Sequence, residues 1–264
     1  MAGYFGTDAQ RTLQARAEAA AEFVSRTPGA CQAGRTMGCD QPDLLGWEQI
    51  EEFLARDQVC GFRLLPAGRA DQLKGELAQR GHRFDTWDVF LAGRAEALAA
   101  ADQIVARGLP QHVTILGKPK EPDGADTLDI QRLMATAGVV PFSGSFLTGA
   151  LGPATTVALA DGSGSVVAAA HAYFPHNEHS AHHRKAWGGL VAVAETQRGR
   201  GLGTYVNSLM VIDVFRALGA THIYELVSSS NLPSRRMVEA CGLRAEPSLV
   251  CGLATPVESV RFTR

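Results

Sequence analysis

The sequence predicts an α/β protein in which helices cover the faces of a mixed sheet. Apolar runs of strand length alternate with amphipathic helical patterns along most of the 264 residues. Two β-branched runs flank Asp161-Gly162-Ser163-Gly164, which indicates a β-hairpin and therefore antiparallel pairing. A glycine-rich turn, Gln197 to Gly203, joins an apolar run to a helical pattern, as in a strand-turn-helix unit.

Charge and composition exclude several classes of function. The chain is 45% hydrophobic, enough for a substantial core. Residues 1–110 hold 12 Lys and Arg against 15 Asp and Glu, and residues 111–264 hold 13 against 12. Because phosphate-backbone binding needs a concentrated basic face, we expect no nucleic-acid partner.

The cysteines and the N-terminus indicate a cytoplasmic protein with no membrane attachment. The number of cysteines is odd and no pair has C-x-x-C spacing, so neither a disulfide framework nor a zinc site is predicted: Cys31, Cys39, Cys60, Cys241 and Cys251. The first residues lack the apolar segment of a signal peptide, and no uncharged apolar run reaches membrane-spanning length.

Residues 1–110 are predicted to form an N-terminal α/β domain. Ala-rich and amphipathic patterns predict helices, and apolar runs predict strands between them. The expected order is helix 12–24, loop 28–43, helix 43–55, strand 59–65, helix 68–80, strand 84–91 and helix 94–107. Residues 108–126 are rich in Gly and Pro, which places a domain boundary there and a second domain over 111–264.

The second domain is predicted to follow the hairpin with two strand-helix units. An irregular stretch reaches Pro153, and a polar loop covers 175–185. The expected elements are helix 127–137, strands 155–160, 166–174 and 188–193, helix 204–218, strand 223–227, helix 231–240 and strand 249–253.

The glycine-rich turn has the composition of an anion site. Gly199, Gly201 and Gly203 remove β-carbons, so backbone N–H groups can converge on a phosphate at the start of the helix. Arg198 and Arg200 add positive charge to the positive end of the helix dipole. The alternative is a tight turn without a ligand, which leaves two flanking arginines unexplained.

Two motifs resemble the GCN5-related N-acetyltransferase (GNAT) superfamily. Arg198-Gly199-Arg200-Gly201-Leu202-Gly203 matches its Gln/Arg-x-x-Gly-x-Gly/Ala signature, and the segment from Asn231 to Leu243 resembles its second motif. The resemblance covers about residues 127–255 and implies a GNAT-like acyl-CoA N-acyltransferase fold. Two alternatives stay open for residues 1–110: a degenerate GNAT half, or an unrelated α/β cap.

The resemblance implies acetyl-CoA as cosubstrate and assigns its contacts. The pyrophosphate would lie on Arg198, Gly199, Arg200, Gly201, Leu202, Gly203 and Thr204. The pantetheine arm would pair with the strand edge at Leu190, Val191 and Val193. Asn231 and Ser234 would face the other side of the cofactor.

The usual catalytic positions of the family carry other residues here. Trp187 and Leu226 stand where relatives carry a glutamate base, and Val238 stands where many carry a tyrosine acid. Glu225 is one step from the second position and is expected on the opposite strand face. We therefore name Tyr224, Glu225 and Tyr173 as catalytic candidates in place of the usual residues.

Five histidines between 171 and 183 are further candidate bases because imidazole titrates near neutral pH: His171, His176, His179, His182 and His183. For each of them we favour a solvated loop position. Glu178 and three of these histidines carry metal-ligand atoms, but no helical i, i+4 pair fixes them, so no metal is predicted. Glu195 is expected to be solvated and Cys241 to be packed.

The predicted function is acetyl-CoA-dependent N-acetylation of a primary amine by direct transfer. The acceptor is a small molecule or a peptide. The alternative is a catalytically inactive CoA-binding domain that acts as a sensor or partner, as the replaced catalytic positions suggest. If residues 1–110 recognise a macromolecule, the protein is instead a protein acetyltransferase.

Overall fold

The computed structural model describes residues 2–259. That range contains ten strands and ten α-helices. The strands are β1 Ala30–Ala33, β2 Thr36–Cys39, β3 Cys60–Pro66, β4 His82–Gly93, β5 Thr114–Ile115, β6 Ala154–Ala160, β7 Val166–Tyr173, β8 Lys185–Val193, β9 His222–Val227 and β10 Arg244–Pro256. The helices are α1 Asp8–Ala19, α2 Ala21–Arg26, α3 Pro42–Leu45, α4 Trp47–Asp57, α5 Ala67–Gln79, α6 Arg94–Val105, α7 Ala125–Thr136, α8 Gly144–Leu147, α9 Leu202–Arg216 and α10 Leu232–Ala240.

All ten described strands lie in one mixed sheet; the sequence predicts a mixed sheet, but not that both halves of the chain share it. Their order is β1-β2-β3-β10-β4-β9-β8-β7-β6-β5. Among the described strands, β2 with β3 and β8 with β9 are parallel, and the other neighbours are antiparallel. The predicted hairpin at Asp161 is confirmed because β6 pairs with β7 on either side of it.

The two halves of the chain contribute interleaved strands. The C-terminal strand β10 lies between β3 and β4 and pairs with both, and β4 pairs on its other edge with β9. Residues 1–110 and 111–264 therefore share one sheet, and their division into two domains stays a prediction.

The sheet curls until its first strand meets the segment that follows β7. An isolated antiparallel bridge joins Cys31 on β1 to His176, and the Gln32 N–H donates to the Pro175 carbonyl oxygen at 2.9 Å. Arg63 on β3 consequently reaches across the concave face, where its guanidinium carbon lies 5.8 Å from the centre of the Trp187 ring on β8. Residues on this concave face form the interior of an almost closed ring of strands.

Three hydrophobic clusters form the core. The alternation of side chains along each strand sends Ala168, Ala170 and Ala172 of β7 to one face, against α6, α9 and α10, and sends Ala169 and Tyr173 to the concave face, against α7 and α8. A third cluster packs α2, α4 and α5 on β2, β3 and β10. No helix within residues 2–259 has both the length and the apolar character needed to cross a membrane.

Most predicted elements are confirmed with shifted ends. The boundary segment 108–126 contains the short strand β5, the irregular stretch before Pro153 contains α8, and two segments of the first region also differ. The expected loop 28–43 contains the β1–β2 hairpin and the start of α3. Its strands carry few β-branched residues, so they lack the usual strand signal, and their pairing depends on contacts with distant segments. The expected helix 12–24 is two helices, and the first begins at Asp8 because Thr7 and Gln10 form a capping box.

Candidate active site

The glycine-rich turn leads into helix α9 as predicted, although the helix begins at Leu202 rather than at 204. Gly199 and Gly201 have φ values of 77° and 80°, a left-handed conformation that favours glycine. No described atom lies within 4 Å of a β-carbon added at either position. Arg198 and Arg200 are exposed beside this open turn. The turn therefore presents backbone and positive charge to solvent.

Strands β8 and β9 separate in front of this turn. They are parallel and pair from Lys185 with His222 to Gly188 with Glu225, where the pairing ends. The remainder of β8, through Val193, continues toward the glycine-rich turn. The two strands thus form a V-shaped opening whose apex lies at Gly188 and Glu225.

A bulge bends β8 just beyond the apex. Leu190 has a φ of 51°, which is uncommon for a residue with a β-carbon. The register between β7 and β8 shifts at the same point, between Ala169 and His171. Leu190 packs on the concave face, whereas Val191 and Val193 pack on the α9 face. The bulge therefore turns the edge of β8 away from β9.

Helix α10 forms the far wall of the opening. Asn231 caps it, since its side-chain oxygen accepts a hydrogen bond from the Ser234 N–H at 3.2 Å. A β-carbon on Gly203 would lie 3.4 Å from Val193 Cγ2 and 3.7 Å from the Met237 sulfur. The start of α9, the end of β8 and α10 are thus close neighbours. Asn231 has a structural role that is independent of any ligand.

The side chains at the family's usual catalytic positions are apolar and packed. Trp187 lies over Gly189, because a β-carbon there would come 2.6 Å from the indole Cζ2. The indole Nε1 is buried and has no hydrogen-bond partner among the described residues. Val238 is fully buried, and Leu226 packs against the concave-face core.

Glu225 is buried on the α9 face, opposite Tyr224 and Leu226, as the alternation of the strand predicts. Its Oε1 accepts a hydrogen bond from the Asn207 amide at 2.8 Å. Burial raises the pKa of Glu225 to about 7, and the bond from Asn207 opposes that shift. Gly188 makes room for the carboxylate, because a β-carbon there would lie 3.3 Å from Glu225 Cγ.

Tyr173 uses its hydroxyl to hold the β1–β2 hairpin. The hydroxyl donates to the Gln32 carbonyl oxygen at 2.9 Å and accepts from the Gly34 N–H at 2.7 Å. Burial raises the pKa of Tyr173 to about 12. These contacts are those of a structural residue, and its catalytic role stays a prediction.

Tyr224 belongs to a buried chain of polar groups. Its hydroxyl lies 3.2 Å from Nε2 of His176, whose Nδ1 lies 2.6 Å from Oδ2 of Asp40. The Ser180 hydroxyl donates to the same carboxylate oxygen at 2.6 Å. All four residues are buried. Burial raises the pKa of Tyr224 well above its ordinary value, and burial also lowers the pKa of His176 despite the opposing effect of Asp40.

The predicted solvation of the histidines is wrong for His171 and His176. His171 is fully buried, its Nδ1 lies 2.8 Å from the Thr156 hydroxyl oxygen, and burial lowers its pKa to about 3. His182 is half-buried, and burial lowers its pKa to about 4. His179 and His183 are exposed, as expected. The curl of the sheet explains the burial of His176, because β1 and β2 cover the segment after β7, whereas His171 lies within β7 and packs against Phe142 and Phe146.

The remaining predicted side chains lie where the sequence places them. Glu195 is exposed, and Cys241 is buried with its pKa raised by burial to about 11. All five cysteines are buried and free. Among residues 2–259, no cluster of three or more His, Cys, Asp or Glu side chains is arranged to hold a metal ion.

One segment of the chain matches a known protein family. Residues 138–243 match the family model of the acetyltransferase (GNAT) family. Residues 138–243 are a GNAT acetyltransferase domain. The matched segment includes both predicted motifs, the bulged strand β8 and helices α9 and α10, so the resemblance seen in the sequence is confirmed. No curated protein matches this chain in sequence.

Solved structures extend the likeness of fold beyond the GNAT domain. A GCN5-related N-acetyltransferase from Kribbella flavida has a TM-score of 0.56 at 13% identity and covers 93% of this chain and 96% of its own. A Drosophila protein gives 0.58 at 14% identity, with 94% and 89% covered. A tandem GNAT protein from the clavulanic acid biosynthesis pathway gives 0.53 at 12% identity, with 92% and 89% covered. At such identities the comparison shows the fold alone.

Sequence reasoning missed Asp40, Ser180 and Arg63 as neighbours of the candidate site. Asp40 falls in the expected loop 28–43, and 183 residues lie between it and Tyr224 in the chain. The crowding of histidines after β7 was the available signal, and it pointed to His176 without indicating its partner.

Proposed function

We propose that the GNAT domain transfers an acetyl group from acetyl-CoA directly to a primary amine of a small molecule or peptide. The separation of β8 and β9 in front of the glycine-rich turn carries this proposal. It offers a strand edge and a helix N-terminus to one elongated ligand. The five buried, free cysteines support a cytoplasmic setting.

The residues around the opening fit the parts of acetyl-CoA. The amides of the open turn from Arg198 to Gly203 and the positive end of α9 suit a pyrophosphate, and Thr204 lies in the first turn of that helix. The edge of β8 at Leu190, Val191 and Val193 suits the amide groups of a pantetheine arm. Asn231 and Ser234 lie at the start of α10, across the opening.

The reaction needs few groups from the protein. The amine nitrogen attacks the thioester carbonyl carbon, the carbon–sulfur bond breaks, and one proton passes from nitrogen to sulfur. Backbone N–H groups near the Leu190 bulge would stabilise the developing oxyanion. Because both reactants are held together, positioning alone supplies a large part of the rate acceleration. Tyr224 and Glu225 remain the proposed catalytic side chains, and Tyr173 is the weakest of the three by its contacts.

Two measurements test the proposal. Calorimetric titration with acetyl-CoA should show saturable binding at one site, with CoA as competitor. Thiol release across a panel of primary amines, followed with DTNB, should then identify acceptors. Absence of saturable binding would contradict the assignment of the opening as a CoA site.

An inactive CoA-binding domain is the second candidate, favoured by the packed, apolar side chains of Trp187, Leu226 and Val238. Such a sensor would bind acetyl-CoA tightly and release no thiol with any amine. Robust turnover with one amine eliminates it. We favour the enzyme, because the polar chain at Tyr224 supplies titratable groups at the apex of the opening.

A further inference from the structure

The polar chain that ends at Tyr224 begins next to the apex of the opening. Trp187 pairs with Tyr224 and Gly188 with Glu225 in the last two registers before β8 and β9 separate. Tyr224 faces the concave side of the sheet, opposite α9. A thioester held at the apex would therefore lie beside the backbone of Tyr224, whose side chain is fully buried on the concave side.

The hydrogen bonds along this chain have one consistent direction. Asp40 Oδ2 accepts from the Ser180 hydroxyl, and it accepts from His176 Nδ1 at 2.6 Å when that nitrogen carries the imidazole proton. Nε2 of His176 then has a free lone pair, which accepts from the Tyr224 hydroxyl at 3.2 Å. The arrangement is that of a nucleophile–imidazole–carboxylate triad with a tyrosine hydroxyl at its end.

We propose that Tyr224, His176 and Asp40 form a proton relay that accepts the proton of the attacking amine and returns it to the sulfur. This inference rests on the proposed acetyltransferase function. As the new nitrogen–carbon bond forms, the amine proton passes to the Tyr224 oxygen and the tyrosine proton passes to His176 Nε2. When the carbon–sulfur bond breaks, both transfers reverse and the thiolate receives the proton. Tyr224 is the catalytic residue, whereas His176 and Asp40 are positioning residues that act through it.

One charged neighbour, Arg63, favours this direction of transfer, whereas burial and the other titratable neighbours oppose ionisation of Tyr224. The groups around Tyr224 are Arg63 from β3, Cys251 from β10, Tyr173 from β7 and Cys31 from β1. The guanidinium of Arg63 is the cation among them, so it stabilises negative charge that develops on the phenolic oxygen.

The surroundings of His176 keep its imidazole neutral, so that Nε2 is available as a hydrogen-bond acceptor. Burial, Arg63 and Lys185 lower its pKa, and Asp40 opposes them. The His182 ring lies 5.4 Å away, and burial also lowers the pKa of that histidine. Asp40 is therefore the one group in this set that favours the imidazolium formed during transfer.

A buried polar chain can also serve structure alone, so the experiment needs a matched control. Thr156 and His171 form a second buried hydroxyl–imidazole pair, with 2.8 Å between Oγ1 and Nδ1. Thr156 lies on β6, and its hydroxyl donates to the Leu147 carbonyl oxygen. Thr156→Val removes a hydroxyl of similar burial without touching the relay.

The test compares Tyr224→Phe, His176→Gln, Asp40→Asn and Thr156→Val in the full chain. For each variant, acetyl-CoA affinity, melting temperature, kcat and the pH profile of kcat are measured. Tyr224→Phe and His176→Gln should lower kcat by about 100-fold or more and keep acetyl-CoA affinity within about threefold. Wild type should lose activity at acid pH, where His176 accepts a proton from solvent, and Tyr224→Phe should lose that limb of the profile. Thr156→Val should keep the kcat and profile of wild type at a lower melting temperature.

Each result separates the relay from the function on which it rests. If wild type turns over and Tyr224→Phe retains kcat within threefold and the same pH profile, the relay alone is overturned. Equal losses in Thr156→Val and Tyr224→Phe, with unchanged profiles, also overturn it by showing a structural role. Wild type that binds acetyl-CoA without releasing thiol overturns both proposals, and failure to bind acetyl-CoA overturns the CoA site itself.

Discussion

Two regions of this molecule, β3-α5-β4 and β8-α9-β9, have the same order of elements but differ in what lies between their two strands. Each first strand carries a leucine in the left-handed conformation, Leu64 in β3 and Leu190 in β8, both with a φ of 51°. In the second region the two strands are neighbours that separate after four paired residues. In the first region β10 lies between them. One region therefore has an opening, and the other has a strand in its place.

The connections that precede helices α5 and α9 also differ between the two regions. Strand β3 ends at Pro66 and α5 begins at Ala67, with no turn between them. Strand β8 ends at Val193 and α9 begins at Leu202, which leaves the glycine-rich turn between them. The first region therefore has neither a gap nor a phosphate-binding turn. These features support the description of residues 1–110 as a degenerate GNAT half, which stays a proposal.

In the first region, a strand of the same chain packs beside the bulge at Leu64. The Leu64 N–H lies 3.1 Å from the Cys251 sulfur, which β10 supplies. At Leu190, on the open side, we propose that the pantetheine arm of acetyl-CoA pairs with the strand edge. The same kind of strand bulge can thus support the fold when a strand of the same chain fills the gap beside it. When that gap is left open, the bulge can bind a ligand.

The largest expected effect concerns the dependence of the first region on β10. Residues 1–110 expressed alone should be unfolded, because β4 loses both β10 and β9 and its apolar faces have no cover. Circular dichroism and amide NMR dispersion, measured beside the full chain, check this. A cooperative thermal transition in the fragment would show instead that the first region is an independent domain.

The second effect concerns Glu225, the buried acid at the apex. Its pKa is raised to about 7 from 4.5. Between these two pH values the carboxyl group therefore stays protonated in the folded state and loses its proton in the unfolded state. Stability should fall by about 3 kcal/mol as pH rises from about 4.5 to 7. Glu225→Gln should flatten this slope and raise stability at pH 8. Chemical denaturation across pH measures it, and an unchanged slope would assign the dependence to other groups.

The third effect compares a glycine near the start of each helix, Gly201 before α9 and Gly68 within α5. Gly201→Val places a β-branched residue in the left-handed region, at a cost of about 1–2 kcal/mol, so the turn should rearrange and acetyl-CoA affinity should fall about 10- to 30-fold. Gly68→Val in the first turn of α5 meets open space and should leave affinity unchanged. Calorimetry measures both, and equal losses would break the distinction between the regions.

The smallest effect concerns the exposed arginines of the turn. Arg198→Gln with Arg200→Gln should weaken acetyl-CoA binding by about 3- to 10-fold at low salt and by much less at 0.5 M, because exposed charges are screened. Arg26→Gln with Arg107→Gln removes the same net charge from exposed positions in the first half. If both double variants weaken binding equally, the effect reflects net charge and not the turn.

Local patterns predicted the second region well. The glycines, the helix and the cap at Asn231 are encoded within a few residues of each other, so the motif and the fold of the GNAT domain could be predicted together. The position of Glu225 on the face of β9 opposite to Leu226 followed from strand alternation alone. The structure then placed each of these elements within a few residues of its expected ends.

Long-range pairing set the limit of sequence reasoning. The insertion of β10 between β3 and β4 joins segments more than 150 residues apart, and no local pattern encodes it. The β1–β2 hairpin is stable through contacts with Tyr173 and His176 rather than through its own propensity. Asp40 could not be linked to Tyr224 without the curl of the sheet.

The insertion of β10 also has a consequence for synthesis on the ribosome. Strand β4 ends at Gly93, whereas β10 begins at Arg244. At about 5–20 residues per second, roughly 8–30 s pass before the strand that fills the gap is made. During that interval the nascent chain exposes the apolar flank of β3, with Phe62 and Leu65, to its surroundings. The region of β3 and β4 is therefore translated well before the strand that completes it, and early termination leaves it open to aggregation and chaperones.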